Sequence, residues 1–373
     1  MIRFRTNEAV QQRHFPKRTA KGSEMIRTQG NAKRSKGMLL GLLLTLGSAA
    51  NGAENIDLIG LNVGGAAFSS GHIPGKYNTN YFFPAPDYFK KWQKEGIKTI
   101  RFPILWERLQ GELNGDLEEE YAQRIDQTLD QAAKHGMGII LDIHNYARYR
   151  KQLIGTDAVP ISAYYDFMER VAKRWKDHEG LYAYDIMNEP HGADKYWPAA
   201  AQAGIDAIRK HDKERPLLIE GNFWSSAYQW PKFNDPLLQL KDPSDNLIFS
   251  AHLYLDKHGD GQYKKPIDDD FDTMLGVKRV TPFIEWLKKH GKRGHIGEFG
   301  IPADDPRLLE AMDHMLGYLQ EHCIPLTYWA AGSSWGNYKL SIEPHKDGSH
   351  RPQWDVLRKY VGQGDCSEIG PGR

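Results

Sequence analysis

Short apolar, β-branched runs alternate along the chain with longer stretches whose apolar residues recur at helical spacing. The short runs predict strands at 56–64, 99–104, 138–144, 181–188, 216–221, 247–254, 294–298 and 325–330. The longer stretches predict helices at 86–95, 119–135, 162–178, 197–211, 276–290 and 307–322, with a last one near 354–361. Gly96, Gly136 and Gly291 close three of them as stop signals, since glycine accepts the left-handed backbone that ends a helix. Strands alternating with helices give an α/β protein, and eight such strands predict a single (β/α)8 TIM barrel. A doubly wound sheet is the alternative. It expects a glycine fingerprint after the first strand, and GLNVGG at 60–65 lacks that spacing.

Polar residues fall where an ordinary core would reject them. Strand two carries Arg101, and strand three ends in Asp142, Ile143, His144 and Asn145. Strand four ends in Asn188, Glu189 and Pro190, strand six holds His252 and Tyr254, strand seven ends in Glu298, and strand eight carries Trp329. A parallel barrel gathers its C-terminal strand ends at one mouth, so these six strand ends become neighbours. Each residue taken singly also fits a satisfied structural role. Recurrence at equivalent places favours a site.

Glu189 and Glu298 stand on strands four and seven, which can face each other across the mouth. Paired carboxyls suit cleavage of a glycosidic bond, where one protonates the leaving oxygen and the other attacks carbon or activates water. Arg101 is expected to hold one carboxylate ionised through a bidentate bond, with Tyr254 donating to the same group. The other carboxyl, beside Asn188 and near His252, is expected to keep its proton. His191 reads as a loop residue.

Charge and composition narrow the classes. Lys+Arg 49 against Asp+Glu 48 conceals an asymmetry: residues 1–53 hold ten basic and two acidic residues, a net +8, leaving 39 against 46 in the rest, a net −7. An acidic body disfavours nucleic acid, whose phosphates need clustered cations. The basic group Lys33, Arg34 and Lys36 precedes a thirteen-residue apolar run at 38–50, then small residues. That is the pattern of an export signal and is short for a spanning helix. Cleavage is expected after Ala50 or Gly52, with Met25 an alternative start. We therefore divide the chain into a leader at 1–53 and one catalytic domain at 54–373, exported or periplasmic, monomeric, and without lasting membrane contact once the leader is removed. No cofactor or metal is expected, since a metal hydrolase needs clustered His or His-x-His sets that the 15 His do not form.

Trp224, Trp230 and Trp335 follow strands five and eight, where loops border the cleft. Indole faces suit sugar rings, and Trp224 and Trp335 are the first choices for such platforms. Export also permits a disulfide. Cys323 precedes strand eight at the barrel bottom, and the last helix should return Cys366 to that end, so a Cys323–Cys366 bridge is expected.

These motifs resemble glycoside hydrolase family 5, and within it the secreted endo-1,4-β-glucanases. The resemblance runs through GLN at 60–62, RFP at 101–103, DIHNYAR at 142–148, MNEPH at 187–191, GNFW at 221–224, HLYLD at 252–256, GEFG at 297–300 and YWAAG at 328–332. It implies a retaining mechanism on a β-glucan substrate, with Glu189 as acid/base and Glu298 as nucleophile. It also implies supporting roles for Arg101, His144, Asn145, Asn188, His252, Tyr254 and Trp329, with Asn188 on the sugar 2-hydroxyl and Trp329 under the ring being cleaved. KHGDGQY at 257–263 and GSSWG at 332–336 depart from the pattern, which leaves mannan and xyloglucan as alternative substrates. A non-catalytic carbohydrate-binding barrel would be expected to lack one carboxyl, and both are present.

Overall fold

Eight parallel strands close on themselves in the computed structural model, each bonded to its sequence neighbours and the last to the first. They are β1 (Ile59–Val63), β2 (Thr99–Ile104), β3 (Gly138–Ile143), β4 (Leu181–Asp185), β5 (Leu217–Glu220), β6 (Leu247–Leu253), β7 (Gly294–Phe299) and β8 (Leu326–Ala331). The outer helices are α1 (Tyr88–Lys94), α2 (Glu119–Lys134), α3 (Ile161–Trp175), α4 (Trp197–Arg209), α5 (Leu275–His290) and α6 (Pro306–Glu321), with α7 (Pro352–Leu357) after the last strand. The structure describes residues 56–371, and the leader predicted at 1–53 lies outside them. No helix among the described residues is long and apolar enough to cross a membrane.

Several element boundaries differ from expectation by a few residues, and three of them stand out. Strand four stops at Asp185 instead of 188, because the next residues leave the sheet to bond the loop after β3. There Asn188 N–H donates to the Ile143 carbonyl at 2.8 Å and Tyr146 N–H to the Asn188 carbonyl at 2.9 Å. The third helix ends at Trp175, and the chain turns through Lys176 and Asp177 before Gly180 starts the approach to β4. The last helix covers only 352–357, with turns beyond it.

Side chains alternate across each strand, and the two faces have different jobs. Ile100, Phe102 and Ile104 of β2 and Ile139, Leu141 and Ile143 of β3 belong to the large core packed against the helices. Ile140, Ala183, Leu218 and Ile248 form a separate small cluster on the other face. Two residues further along β3, β4, β5 and β6 the same face carries Asp142, Asp185, Glu220 and Ser250, all buried. The barrel interior is therefore apolar at its lower level and polar just beneath the mouth.

The C-terminal tail closes the bottom. Cys366 is joined to Cys323 with their Cα atoms 5.6 Å apart. The Cys366 carbonyl accepts from Ile56 N–H at 2.8 Å, and Gly370 bonds both Cys323 and Gly294. Ile369 packs against the small interior cluster. Replacing both cysteines by serine is expected to cost about 2–4 kcal/mol of stability, because the bridge restricts the unfolded chain. Denaturant unfolding measures this, and an unchanged midpoint would mean that the tail's hydrogen bonds and Ile369 suffice alone.

Candidate active site

A single arginine organises the polar layer. Arg101 is fully buried on β2, and register places it beside Asn62 of β1. Its Nε donates to Asp185 Oδ2 at 2.8 Å, and its Nη1 donates to Asn62 Oδ1 and Glu298 Oε1, both at 3.0 Å. Its Nη2 donates to Asn188 Oδ1 at 2.8 Å and Glu220 Oε1 at 2.9 Å and lies 3.1 Å from Asp142 Oδ2. Burial opposes the charge, but the carboxylates of Asp142, Asp185, Glu220 and Glu298 outweigh it and hold the guanidinium protonated. The expected bidentate bond to a single carboxylate is not formed. Arg101 lies below the mouth with acids on several sides, so its five N–H groups are shared among them.

Glu298 is the last residue but one of β7 and lies within this layer. Arg101 reaches one of its oxygens, and Tyr254 donates to the other at 2.8 Å. Register aligns Glu298 with His252 of β6, whose Nδ1 lies 3.6 Å from Glu298 Oε2. Gly297 makes room for that ring: a Cβ there would stand 2.9 Å from His252 Nε2 and 2.7 Å from Ser250 Oγ.

Glu189 sits four residues beyond the end of β4, in left-handed backbone at φ 43°. Its Oε1 faces His252 Nδ1 at 2.8 Å, and its backbone N–H donates to Glu220 Oε2 at 2.6 Å. Burial pushes its carboxyl above the ordinary range and the nearby Glu298 adds to this, while His252 pulls the other way. One oxygen of Glu189 and one of Glu298 lie within 4.8 Å of each other. The two carboxyls thus share a site but not an environment. Glu298 is held by a guanidinium and a phenol, whereas Glu189 meets an imidazole and is partly open to solvent.

Of the remaining predicted residues, most line the same mouth. His144 Nδ1 bonds Asp142 Oδ2 at 2.7 Å, and its ring lies parallel to that of Trp329 with centroids 5.7 Å apart. Trp329 is half-buried and its Nε1 donates to Tyr338. Asn188 Nδ2 has no partner among the described residues. Asn145 is turned away: its Oδ1 accepts from Trp106 N–H and its Nδ2 donates to Glu107 at 2.6 Å, so it anchors the loop after β2.

The tryptophans separate cleanly. Trp224 is 45% exposed and stacks on His191 at 4.5 Å, giving that unassigned loop histidine a packing role. Trp335 is half-buried between Phe68 and Tyr338, and its Nε1 donates to the Ala331 carbonyl. Trp230 borders no cleft. It is fully buried against Phe249, Phe283 and Trp286, because the short helix that it begins folds back onto α5.

Sequence reasoning missed Glu220, Asp185 and Asn62, which complete the ring around Arg101. A carboxylate closing the apolar run LLIE was the available signal for Glu220.

A family model described as Cellulase (glycosyl hydrolase family 5) matches residues 59–334, from the first residue of β1 to just past β8. The chain belongs to glycoside hydrolase family 5. Among similar proteins, a probable endo-beta-1,4-glucanase B of Neosartorya fischeri is 33% identical over 319 residues, covering 84% of this chain and 94% of the relative. Pseudomonas stutzeri endoglucanase Cel5A in complex with cellobiose superposes with a TM-score of 0.83 at 46% identity, covering 86% of this chain and 98% of that one. XacCel5A in complex with cellopentaose gives a TM-score of 0.76 at 37% identity, covering 81% and 98%. The family-5 match stops inside GSSWG at 332–336, one of the two stretches that depart from the pattern.

Proposed function

We propose that the chain is a retaining endo-β-1,4-glucanase that cleaves internal bonds of cellulose or related β-glucans. The observation that carries this reading is the carboxyl pair, whose nearest oxygens lie within 4.8 Å while their surroundings differ. A retaining pair stands about 5–5.5 Å apart, whereas an inverting pair leaves about 6.5–9.5 Å for a water between them. The names of the relatives supply the substrate class.

The chemistry follows from the surroundings. Arg101 keeps its proton at any working pH, so the carboxyl on its Nη1 is the one suited to attack as an anion. Glu298 attacks the anomeric carbon, and Glu189, whose carboxyl is pushed upward by burial, serves as the acid that protonates the leaving oxygen. Glu189 then takes a proton from water, whose oxygen displaces Glu298 from the sugar. Tyr254 returns its full hydrogen bond to the freed carboxylate. Asn188 Nδ2 is free to meet the 2-hydroxyl, and Trp329 offers its face under the reacting ring. Trp224, on the Glu189 side, is placed to stack on the leaving portion of the chain. The disulfide suits an oxidising compartment, which agrees with reading 1–53 as an export leader and 54–373 as the catalytic domain.

Cellotetraose followed by NMR tests this reading. The first product is expected to carry the β configuration, and release of the α anomer would overturn the roles assigned to the two glutamates. In the same reaction, a chelator is expected to leave the rate unchanged. Reducing-sugar release should be greater from carboxymethylcellulose and β-glucan than from mannan or xyloglucan.

A further inference from the structure

Glu220 is buried at the end of β5, has no part in the mechanism above, and touches both halves of it. Its Oε1 accepts from Arg101 Nη2 at 2.9 Å and faces His252 Nε2 at 2.8 Å. Its Oε2 accepts from the Glu189 backbone N–H at 2.6 Å. The Trp197 indole N–H donates to its carbonyl at 2.8 Å, fixing the strand end from which it projects. Arginine and a backbone amide only donate, so Glu220 must accept on both oxygens. The Arg101 guanidinium at 2.9 Å favours its ionised form: burial alone would raise the carboxyl, but His252 and Arg101 bring it down to about 2.

The state of His252 follows. An ionised Glu220 only accepts, so the hydrogen between the two must sit on Nε2. Nδ1 is then left facing Glu189 Oε1 at 2.8 Å. Two lone pairs at that distance repel, so one proton belongs between them. It lies on Glu189 beside a neutral ring, or on Nδ1 beside a carboxylate. Other charges bear on the same ring: Glu298 Oε2 stands 3.6 Å from Nδ1, with Arg101 and Tyr254 beyond it. His295 lies deeper, held neutral by burial, and bonds Ser250. Glu298 and Glu220 both favour keeping the proton in the pair.

We propose that Glu220 is a positioning residue that fixes the His252 ring so that the acid/base proton is shared between Glu189 Oε1 and His252 Nδ1. This rests on the reading of Glu189 as the acid/base. In the first half-reaction the bond from Glu298 to the anomeric carbon forms, the bond to the leaving oxygen breaks with its electron pair, and the shared proton passes to that oxygen. The pair is left as a carboxylate beside an imidazole lone pair, a poor arrangement until a proton returns. In the second half-reaction water supplies that proton, and the remaining hydroxide oxygen bonds the anomeric carbon as Glu298 departs. Glu220 keeps Nε2 occupied throughout, so the ring cannot turn its hydrogen toward Glu189 and leave the proton without a second holder.

Glu220→Gln removes the charge and keeps the shape. Two substrates read its effect through kcat/KM, which reports the first half-reaction: cellotetraose, whose leaving group needs a proton, and 2,4-dinitrophenyl β-cellobioside, whose leaving group does not. The variant is expected to lose roughly ten-fold or more on cellotetraose and less than about three-fold on the aryl glycoside. Its alkaline limb on cellotetraose should move to lower pH, because a negative charge that held the proton is gone. Equal losses on both substrates, or an unmoved limb, would overturn the proposal in favour of a purely structural role. A wild-type protein that cleaves neither substrate would instead remove the glucanase reading. Should the variant not fold, ¹⁵N-histidine NMR of the wild type decides: His252 Nε2 is expected to stay protonated on both sides of the alkaline limb, and an unprotonated Nε2 overturns the assignment.

Discussion

Glu298→Gln is expected to abolish hydrolysis of every substrate, with kcat falling on the order of 10⁵-fold or more, the scale on which a covalent nucleophile matters. The amide matches the carboxylate in size, so packing at the end of β7 survives. What is lost is the attacking oxygen and the charge that Arg101 faces at 3.0 Å. An activated leaving group cannot help, since no bond to the sugar forms. Rates on cellotetraose and on 2,4-dinitrophenyl β-cellobioside should therefore fall together. Substantial residual cleavage of the aryl substrate would mean that Glu298 is not the attacking group.

Glu189→Ala is expected to behave oppositely. Removal of a general acid costs roughly 10²–10⁴-fold where the leaving oxygen needs a proton and little where it does not. Cellotetraose cleavage should collapse while glycosylation by the dinitrophenyl substrate persists, and the enzyme should then stall with sugar on Glu298, lacking a base to activate water. Azide needs no deprotonation. Added azide is expected to restore turnover and to yield the β-glycosyl azide, identified by NMR. Failure of rescue, or an α-azide product, would contradict the roles of both glutamates.

The strands were readable because a doubly covered parallel sheet demands runs of β-branched and aliphatic residues, and those runs recur eight times. The polar strand ends were readable for the converse reason: Arg101, His252 and Glu298 interrupt such runs where only a site explains them. Glu220 and Asp185 escaped because one carboxylate at a strand end reads as the point where the chain meets water. Only closure of the barrel brings both within 3 Å of the Arg101 side chain. Trp224 and Trp230 show another limit. Six residues apart in one loop, one lies open beside His191 and the other is buried. Phe223, Trp224 and Ser225 all adopt left-handed backbone, which turns the segment in a way that hydropathy does not encode. The sharing of Arg101 among several acids was equally hidden, since it depends on register between strands far apart in sequence.

The tail beneath the barrel also sets the order in which the molecule can be completed. Ile369 caps an interior layer drawn from β3, β4, β5 and β6, so the most C-terminal part of the described chain finishes a core begun by its middle. A nascent chain lacking that segment would leave Ile140, Leu218 and Ile248 uncovered at an open end, however well its strands had paired. Closure therefore waits until the segment around Ile369 is available, and pairing of Cys323 with Cys366 becomes a chemical record that it has happened. A fusion partner or a trimmed C-terminus would be felt at the floor of the barrel, on the side opposite the glutamates.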